Sequence, residues 1–343
     1  MRPLLSALHR PTIRHFPSRV FAATMSTSAT AAKADAALYK WASNDGEFRR
    51  QVSSFRSAVQ RDSQQYPVEK DRYHVYISKA CPWASSVYMT ILLLGLTDSI
   101  TITTVDPVMP KDGWFFSNFP GSDLDPIFNA ENLRQIYHTV LPDYQGRYTV
   151  PIFLDKATKT IVSNESIEII KFLNSEFGAL RVNPSVDDLY PESLRAEIDE
   201  MNQFIYDNIN NGVYKTGFAT AQAVYENHCK NLFESLDKVE AILSSQEFLV
   251  GGRFTLVDLR LFVTIIRFDP VYHGHFKCNL KLIEKSYPNI VRWARQIYQT
   301  YPVIDKSIDM VHIKAHYYKS HIQINPNQIV PLNNGMDLTV PYK

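Results

Sequence analysis

Between Arg72 and Leu94 the chain reads RYHVYISKACPWASSVYMTILLL, and this stretch restricts the fold more than any other. Tyr73 to Ile77 is β-branched and aromatic, the composition of a short buried strand, whereas Val87, Ile91 and Leu94 recur at helical spacing. Pro82 suits the first turn of that helix, where its missing N–H costs no hydrogen bond. One cysteine therefore stands where a strand hands over to a helix. A thiol there faces free backbone N–H groups and the positive end of the helix dipole, both of which favour thiolate. The expectation is a nucleophilic Cys81 with a pKa below the ordinary thiol value of about 8.5. The alternative is a buried structural cysteine.

At 343 residues the chain has room for two packed units and a sizeable core. No apolar run reaches the roughly 18 residues of a membrane span, and Leu261 to Ile266 reads as one face of a core helix. Lys plus Arg is 36 against Asp plus Glu 35, which leaves no electrostatic case for nucleic acid. The 19 Tyr and 19 Phe fit recognition of flat rings as well as they fit a large core. Cys81, Cys229 and Cys278 do not form a disulfide framework, so a reducing compartment is expected. A Gly-rich phosphate loop, a dinucleotide fingerprint and a Gly-x-Ser-x-Gly elbow are all missing from the sequence, which argues against nucleotide cofactors and hydrolase chemistry.

Ile100 to Val105 reads as a second strand, and Asp106 to Gly146 as a long insertion rich in Pro, Gly and Asp, with Trp114 an unprotected aromatic in it. Arg134 heads a short apolar pattern toward Tyr137. Thr149-Val150-Pro151 opens a third strand, a turn at Lys156 to Lys159 leads to a fourth, and Asn164-Glu-Ser166 starts a helix with Ile167, Ile170 and Leu173 on its buried face. After a Pro- and Asp-rich linker at Asn183 to Pro191 the pattern is wholly helical: Ile198, Met201, Ile205 and Ile209 form one stripe, and Leu232, Leu236, Val239 and Leu243 another. Thr255 to Asp258 is a capping box. Asp269-Pro270 is expected to end the helix that follows, and the tail after Ile322, with three prolines, shows no core pattern.

Ala80-Cys-Pro-Trp-Ala84 resembles the start of the first helix in thioredoxin-like proteins, with Ala84 where a second thiol would stand, and resembles more closely the cysteine-type glutathione transferases. Together with Ser163-Asn-Glu-Ser166, the run from Asn210 to Phe218, Arg267 to Tyr272 and His275 to Asn279, it is similar to the glutathionyl-hydroquinone reductases, the Xi class, from about Trp41 to Pro331. The resemblance implies a thioredoxin-like α/β N-terminal domain over 72–182 and an all-α C-terminal domain over 189–321, the glutathione transferase fold. An extension over 35–71, not itself chemical, would precede them and an extended tail over 322–343 would follow. It further implies a homodimer and glutathione as co-substrate, with no permanent cofactor. Glutathione contacts would come from Trp114, Arg134, Val150 before a cis proline, Glu165 for the ammonium and Ser166 for the γ-glutamyl carboxylate; an ordinary helix cap would use the same residue types. Tyr214 and Tyr317 match tyrosines that this family sets over the cysteine, with Tyr206 and Tyr272 as weaker candidates.

The activity so implied is reduction of glutathionyl-hydroquinones through a Cys81 mixed disulfide that a second glutathione resolves. An Omega-like thiol transferase acting on dehydroascorbate or protein mixed disulfides is the alternative within the enzymes, and a non-catalytic transferase-like binding module the alternative outside them. No metal is expected: the spacing of His273, His275, Cys278, His312 and His316 matches no strong zinc motif. Residues 1–34 carry five basic residues and no acidic one, the composition of a mitochondrial presequence, with a mature start between about Phe21 and Lys33 and a shorter cytoplasmic form from Met25 as a further option.

Overall fold

The computed structural model describes residue 43 and residues 45–343. The presequence reading lies outside the described residues. A four-stranded sheet is built from β1 (Tyr73–Ile77), β2 (Ile100–Thr104), β3 (Ile152–Asp155) and β4 (Thr160–Ser163), in the order β2-β1-β3-β4. β1 runs parallel to β2, pairing Val75 with Ile102, and antiparallel to β3, pairing Val75 with Phe153; β3 and β4 are antiparallel. All five β1 residues are buried, His74 included, which is why its sequence does not alternate between apolar and charged residues. Helix α1 (Pro82–Leu93) follows β1 and ends at Gly95, whose φ is +63°. A Cβ at Gly95 would stand 1.9 Å from the Val182 carbonyl oxygen, so this turn admits only glycine. The insertion contains α2 (Leu133–Val140), and α3 (Ser166–Glu176) follows β4 and packs on α1.

The helical half comprises α4 (Arg195–Ile205), α5 (Gly212–Gly217), α6 (Gln222–Ser245), α7 (Leu256–Arg267), α8 (Ile283–Ser286), α9 (Pro288–Thr300) and α10 (Met310–Ser320). Every residue of α7 is buried, and α7 packs against α1. Its capping box is present: Asp258 accepts from the Thr255 N–H at 3.0 Å and also from the Leu249 N–H at 2.9 Å and Trp293 Nε1 at 3.0 Å. A cap of this kind contributes roughly 1 kcal/mol. The helix stops at Arg267, two residues before the expected Asp269-Pro270 break, and the chain continues in a π turn through Phe268–Tyr272.

Two segments differ from their sequence reading. The tail after Ile322 is docked: Ile324, Val330, Met336 and Leu338 pack against the core, and Lys314 Nζ donates to the Pro331 carbonyl at 3.0 Å and to Asn334 Oδ1 at 2.7 Å. Scattered single apolar residues anchored by hydrogen bonds leave no periodicity to read. Within the extension, residues 45–57 form a strap that ties the two halves together. Glu47 pairs with His228 of α6 at 3.0 Å and Arg50 Nε donates to Asn211 Oδ1 at 2.9 Å, while Ser57 N–H donates to the Val162 carbonyl at 3.0 Å, adding an edge to β4.

Candidate active site

Cys81 is the N-cap of α1, with extended backbone (φ −75°, ψ 119°) and its side chain free of any capping bond. The residue is partly exposed, and its thiol lies 3.8 Å from the Val150 carbonyl oxygen, to which it can donate. Val150-Pro151 is a cis peptide bond, as the resemblance implied. The thiol pKa, however, is shifted upward and not downward. Burial is the largest influence, and it outweighs the Ala84 N–H, the Arg50 guanidinium, the Trp83 N–H and the Arg267 guanidinium, each of which favours thiolate. The helix start alone therefore does not activate this thiol. The S–H to carbonyl contact works in the same direction, since it is available only to the protonated form.

Tyrosines from three elements form a cluster that reaches the thiol through Tyr214. The Tyr214 hydroxyl, from α5, is 2.6 Å from that of Tyr317, on α10, which in turn is 2.9 Å from that of Tyr272 in the π turn. All three rings are buried, and burial holds all three phenols well above their ordinary pKa, with Cys81 a further influence on Tyr214. They are proton donors at neutral pH. Tyr272, a weaker candidate on sequence, is thus a full member of the cluster, because the π turn carries it back over Tyr317. Tyr206 is not: it lies against Arg260, 5.6 Å from guanidinium carbon to ring centroid.

The strap contributes chemistry that its sequence did not announce. The exposed Arg50 lays its guanidinium over the Trp83 ring at 3.8 Å and lies 5.4 Å from the Tyr214 ring. The Trp83 and Tyr214 rings are themselves 5.1 Å apart. A basic residue followed by no apolar periodicity carries no signal of such a role; only the long-range contact reveals it.

At the other end of the site, Glu165 caps α3, accepting from the Ile167 N–H at 3.4 Å, and its second oxygen accepts from Ser53 of the strap at 2.9 Å. Ser166 is buried, and its hydroxyl accepts from Arg260 Nη1 of α7 at 3.3 Å. Arg260 is another residue that sequence reading missed, hidden in an apolar helix. Arg134, half-buried in the first turn of α2, lies 5.7 Å from the Tyr148 ring, two residues before Val150. Trp114 is buried and not unprotected, since α10 covers it: its ring stacks on His316 at 4.6 Å. A small cleft between α1 and α7 is lined by Pro82, Trp83, Ser86, Asn210, Arg260, Val263 and Thr264. The histidines singled out in the sequence are engaged elsewhere: His275 Nε2 lies 3.1 Å from His321 Nδ1, and His312 Nε2 lies 2.8 Å from the Pro120 carbonyl. Among the described residues no group of three His, Cys, Asp or Glu side chains could hold a metal ion.

A family model described as the glutathione S-transferase N-terminal domain matches residues 80–176, and one described as its C-terminal domain matches residues 222–296. The glutathione S-transferase omega-like 2 of Schizosaccharomyces pombe is 46% identical over 85% of this chain and 95% of its own. The glutathionyl-hydroquinone reductase YqjG of Escherichia coli is 43% identical over 89% and 94%, and its glutathione-bound structure superposes with a TM-score of 0.81 over 87% of this chain and 97% of that one. The Xi glutathione transferase of Phanerochaete chrysosporium superposes with a TM-score of 0.83 at 48% identity, over 88% and 96%.

Proposed function

We propose that this chain, an enzyme that belongs to the Xi class of the omega-like glutathione transferases, is a glutathione-dependent reductase of glutathionyl-hydroquinones. The Cys81 thiolate attacks the sulfur of the glutathionyl group, the carbon–sulfur bond to the ring breaks, and the electron pair left on the ring carbon takes a proton, releasing hydroquinone. A second glutathione, as thiolate, attacks the Cys81 mixed disulfide and leaves as glutathione disulfide with the thiol restored. The observation that carries the reading is the chain of phenols Tyr272–Tyr317–Tyr214, which burial keeps protonated and whose Tyr214 end interacts with Cys81. Hydrogen bonds from this chain to the ring oxygens steady the leaving group, and a thiol–disulfide exchange on a small aliphatic disulfide would have no use for them.

Glutathione would lie along Val150, with its ammonium at Glu165 and its γ-glutamyl carboxylate at Ser166 and the α3 N-terminus. Arg134 and Trp114 would bound the remaining part. An Omega-like transferase acting on dehydroascorbate or protein mixed disulfides is the second reading, favoured by the same cysteine and by the omega-like relative. Initial rates on glutathionyl-hydroquinone and dehydroascorbate, for the native chain and for Cys81→Ser, test both. A preference for glutathionyl-hydroquinone that Cys81→Ser abolishes supports the reductase; activity surviving that change removes the mechanism.

A further inference from the structure

We infer that α7 supplies two counter-charges to the site from the helical half of the molecule, Arg267 for the Cys81 thiolate and Arg260 for the γ-glutamyl carboxylate of the bound peptide. The inference rests on the reading of Cys81 as the reacting thiol and of Glu165 and Ser166 as the glutathione end. The two arginines are seven residues apart, two helical turns, so they share a face and stand about 10 Å apart along the axis. Both are buried, at 4% exposure for Arg260 and 0% for Arg267, and among the described residues neither forms an ion pair. A buried cation with no direct ion pair is costly; the Glu165 carboxylate acts on Arg260 from the end of the site, and Arg267 ties α7 to the turn before Cys81.

Arg267 is held by neutral acceptors alone. Its Nε donates to the Ala80 carbonyl at 3.1 Å, Nη2 to the Lys79 carbonyl and the Ser85 hydroxyl at 2.8 Å each, and Nη1 to the Val263 carbonyl at 2.5 Å. Three of these four acceptors belong to the turn that carries Cys81. Arg260 is less well satisfied: Nη1 reaches Ser166 Oγ, and Nε has no partner. An extended γ-glutamyl-cysteinyl unit spans about 10 Å from carboxylate to sulfur at standard bond lengths. The spacing of the two cations along α7 therefore matches the spacing of the two anions that form when the peptide binds beside the thiolate. Around Cys81 the other charged or titratable groups are Arg50 from the strap and Tyr214 from α5, with the Trp83 and Ala84 N–H groups from α1; Lys79 faces Asp309 at 3.6 Å.

Arg267 is a positioning residue, and its role is separable from fold support by a pH profile. Alkylation of Cys81 by iodoacetamide, followed on its peptide by mass spectrometry across pH, gives the thiol midpoint, and calorimetry gives the glutathione Kd on the full chain. Arg267→Gln is expected to raise the midpoint by about one unit or more, a tenfold loss of thiolate below it, with Kd changed less than about threefold. Arg260→Gln is expected to weaken glutathione about tenfold and to leave the midpoint within about 0.3 unit. A wild-type midpoint in folded Arg267→Gln, or joint movement of both readouts in both variants, overturns the inference. Should Arg267→Gln fail to fold, Arg267→Lys decides, because it keeps the charge and loses the fork of contacts: a midpoint within about half a unit of wild type supports the counter-charge, and a larger rise overturns it. Neither readout uses a hydroquinone. The crossed pattern in a chain that does not reduce glutathionyl-hydroquinone would leave the counter-charges standing and remove the proposed function; reductase activity without the crossed pattern would do the reverse.

Discussion

The Tyr214 and Tyr317 hydroxyls lie 2.6 Å apart although 103 residues separate them in the chain. One comes from the short helix after the Asn-Asn-Gly break and the other from the last helix, so the pair forms only when α5 and α10 are both in place. Tyr317 stands in the middle, bonded also to Tyr272, and its ring is edge-on to that of Tyr272 at 5.4 Å. Burying three phenols together is tolerable because each finds a hydroxyl partner.

Tyr214→Phe and Tyr317→Phe should each slow reduction of glutathionyl-hydroquinone by about tenfold or more, the effect of losing about 1.4 kcal/mol of transition-state hydrogen bonding. Reduction of a small aliphatic disulfide should change little, since it needs only the thiol and the glutathione end. Because the two hydroxyls share one bond, the double variant should lose less than the product of the single losses. Steady-state kinetics of the three variants on both substrates checks this, and equal losses on the two substrates would assign the tyrosines to fold support.

What could be read from the sequence follows the reach of each signal. The strand, Cys81, Pro82 and α1 are local, set by propensity and by proline at a helix start, and the structure forms them with the expected register of burial. The α7 cap was legible because Thr255 and Asp258 sit three residues apart on a fixed geometry. The thiol's environment was not, since the helix start is visible in sequence and the burial that outweighs it comes from residues far along the chain. Arg50, Arg260 and Arg267 escaped for a related reason: two lie in an apolar helix and one in an aperiodic strap, and each acts on a partner more than thirty residues away in sequence. Tyr272 joins the cluster because the chain past Asp269-Pro270 forms a π turn, a local geometry that no residue pattern there announces.

Arg50 covers Trp83 in the manner of a cation over a ring face, and an exposed contact of this type is worth about 0.5–1 kcal/mol. A substrate ring held by the same cation would lose a contact of this size, so Arg50→Ala should raise KM for the aromatic substrate by about two- to fivefold, and the lost Trp83 contact should lower the melting temperature only slightly. Arg50→Lys should recover only part of this, since an ammonium cannot both stack on Trp83 and keep the Nε bond to Asn211. Kinetics and thermal melts of the two variants would check the expectation, and an unchanged KM in Arg50→Ala would remove the strap from the substrate's path.

The leading 34 residues, basic and free of acid, are proposed to direct the chain to mitochondria and to be removed there. The mature protein should begin between about Phe21 and Lys33. N-terminal sequencing of the protein from isolated mitochondria would show it, and an intact Met1 form confined to the cytosol would contradict it.

The buried histidines set a pH limit on the fold. His275 and His316 are each pushed down to about 4 by burial, and His321 lies well below its ordinary value for the same reason, with the His275 and His321 rings bonded at 3.1 Å as neutral donor and acceptor. Each has a folded pKa below its unfolded value of about 6.5, so the folded state binds fewer protons than the unfolded one between those limits. The stability they contribute is complete above about pH 6.5 and is lost as pH falls toward 4. The melting temperature should accordingly be flat near pH 7.5 and fall steeply between pH 6 and about pH 4.5. His321→Asn should flatten that slope, even if it lowers the melting temperature at neutral pH, because one buried proton-accepting ring has gone. Melts of both chains across this range test the assignment, and parallel slopes would place the acid sensitivity in other groups.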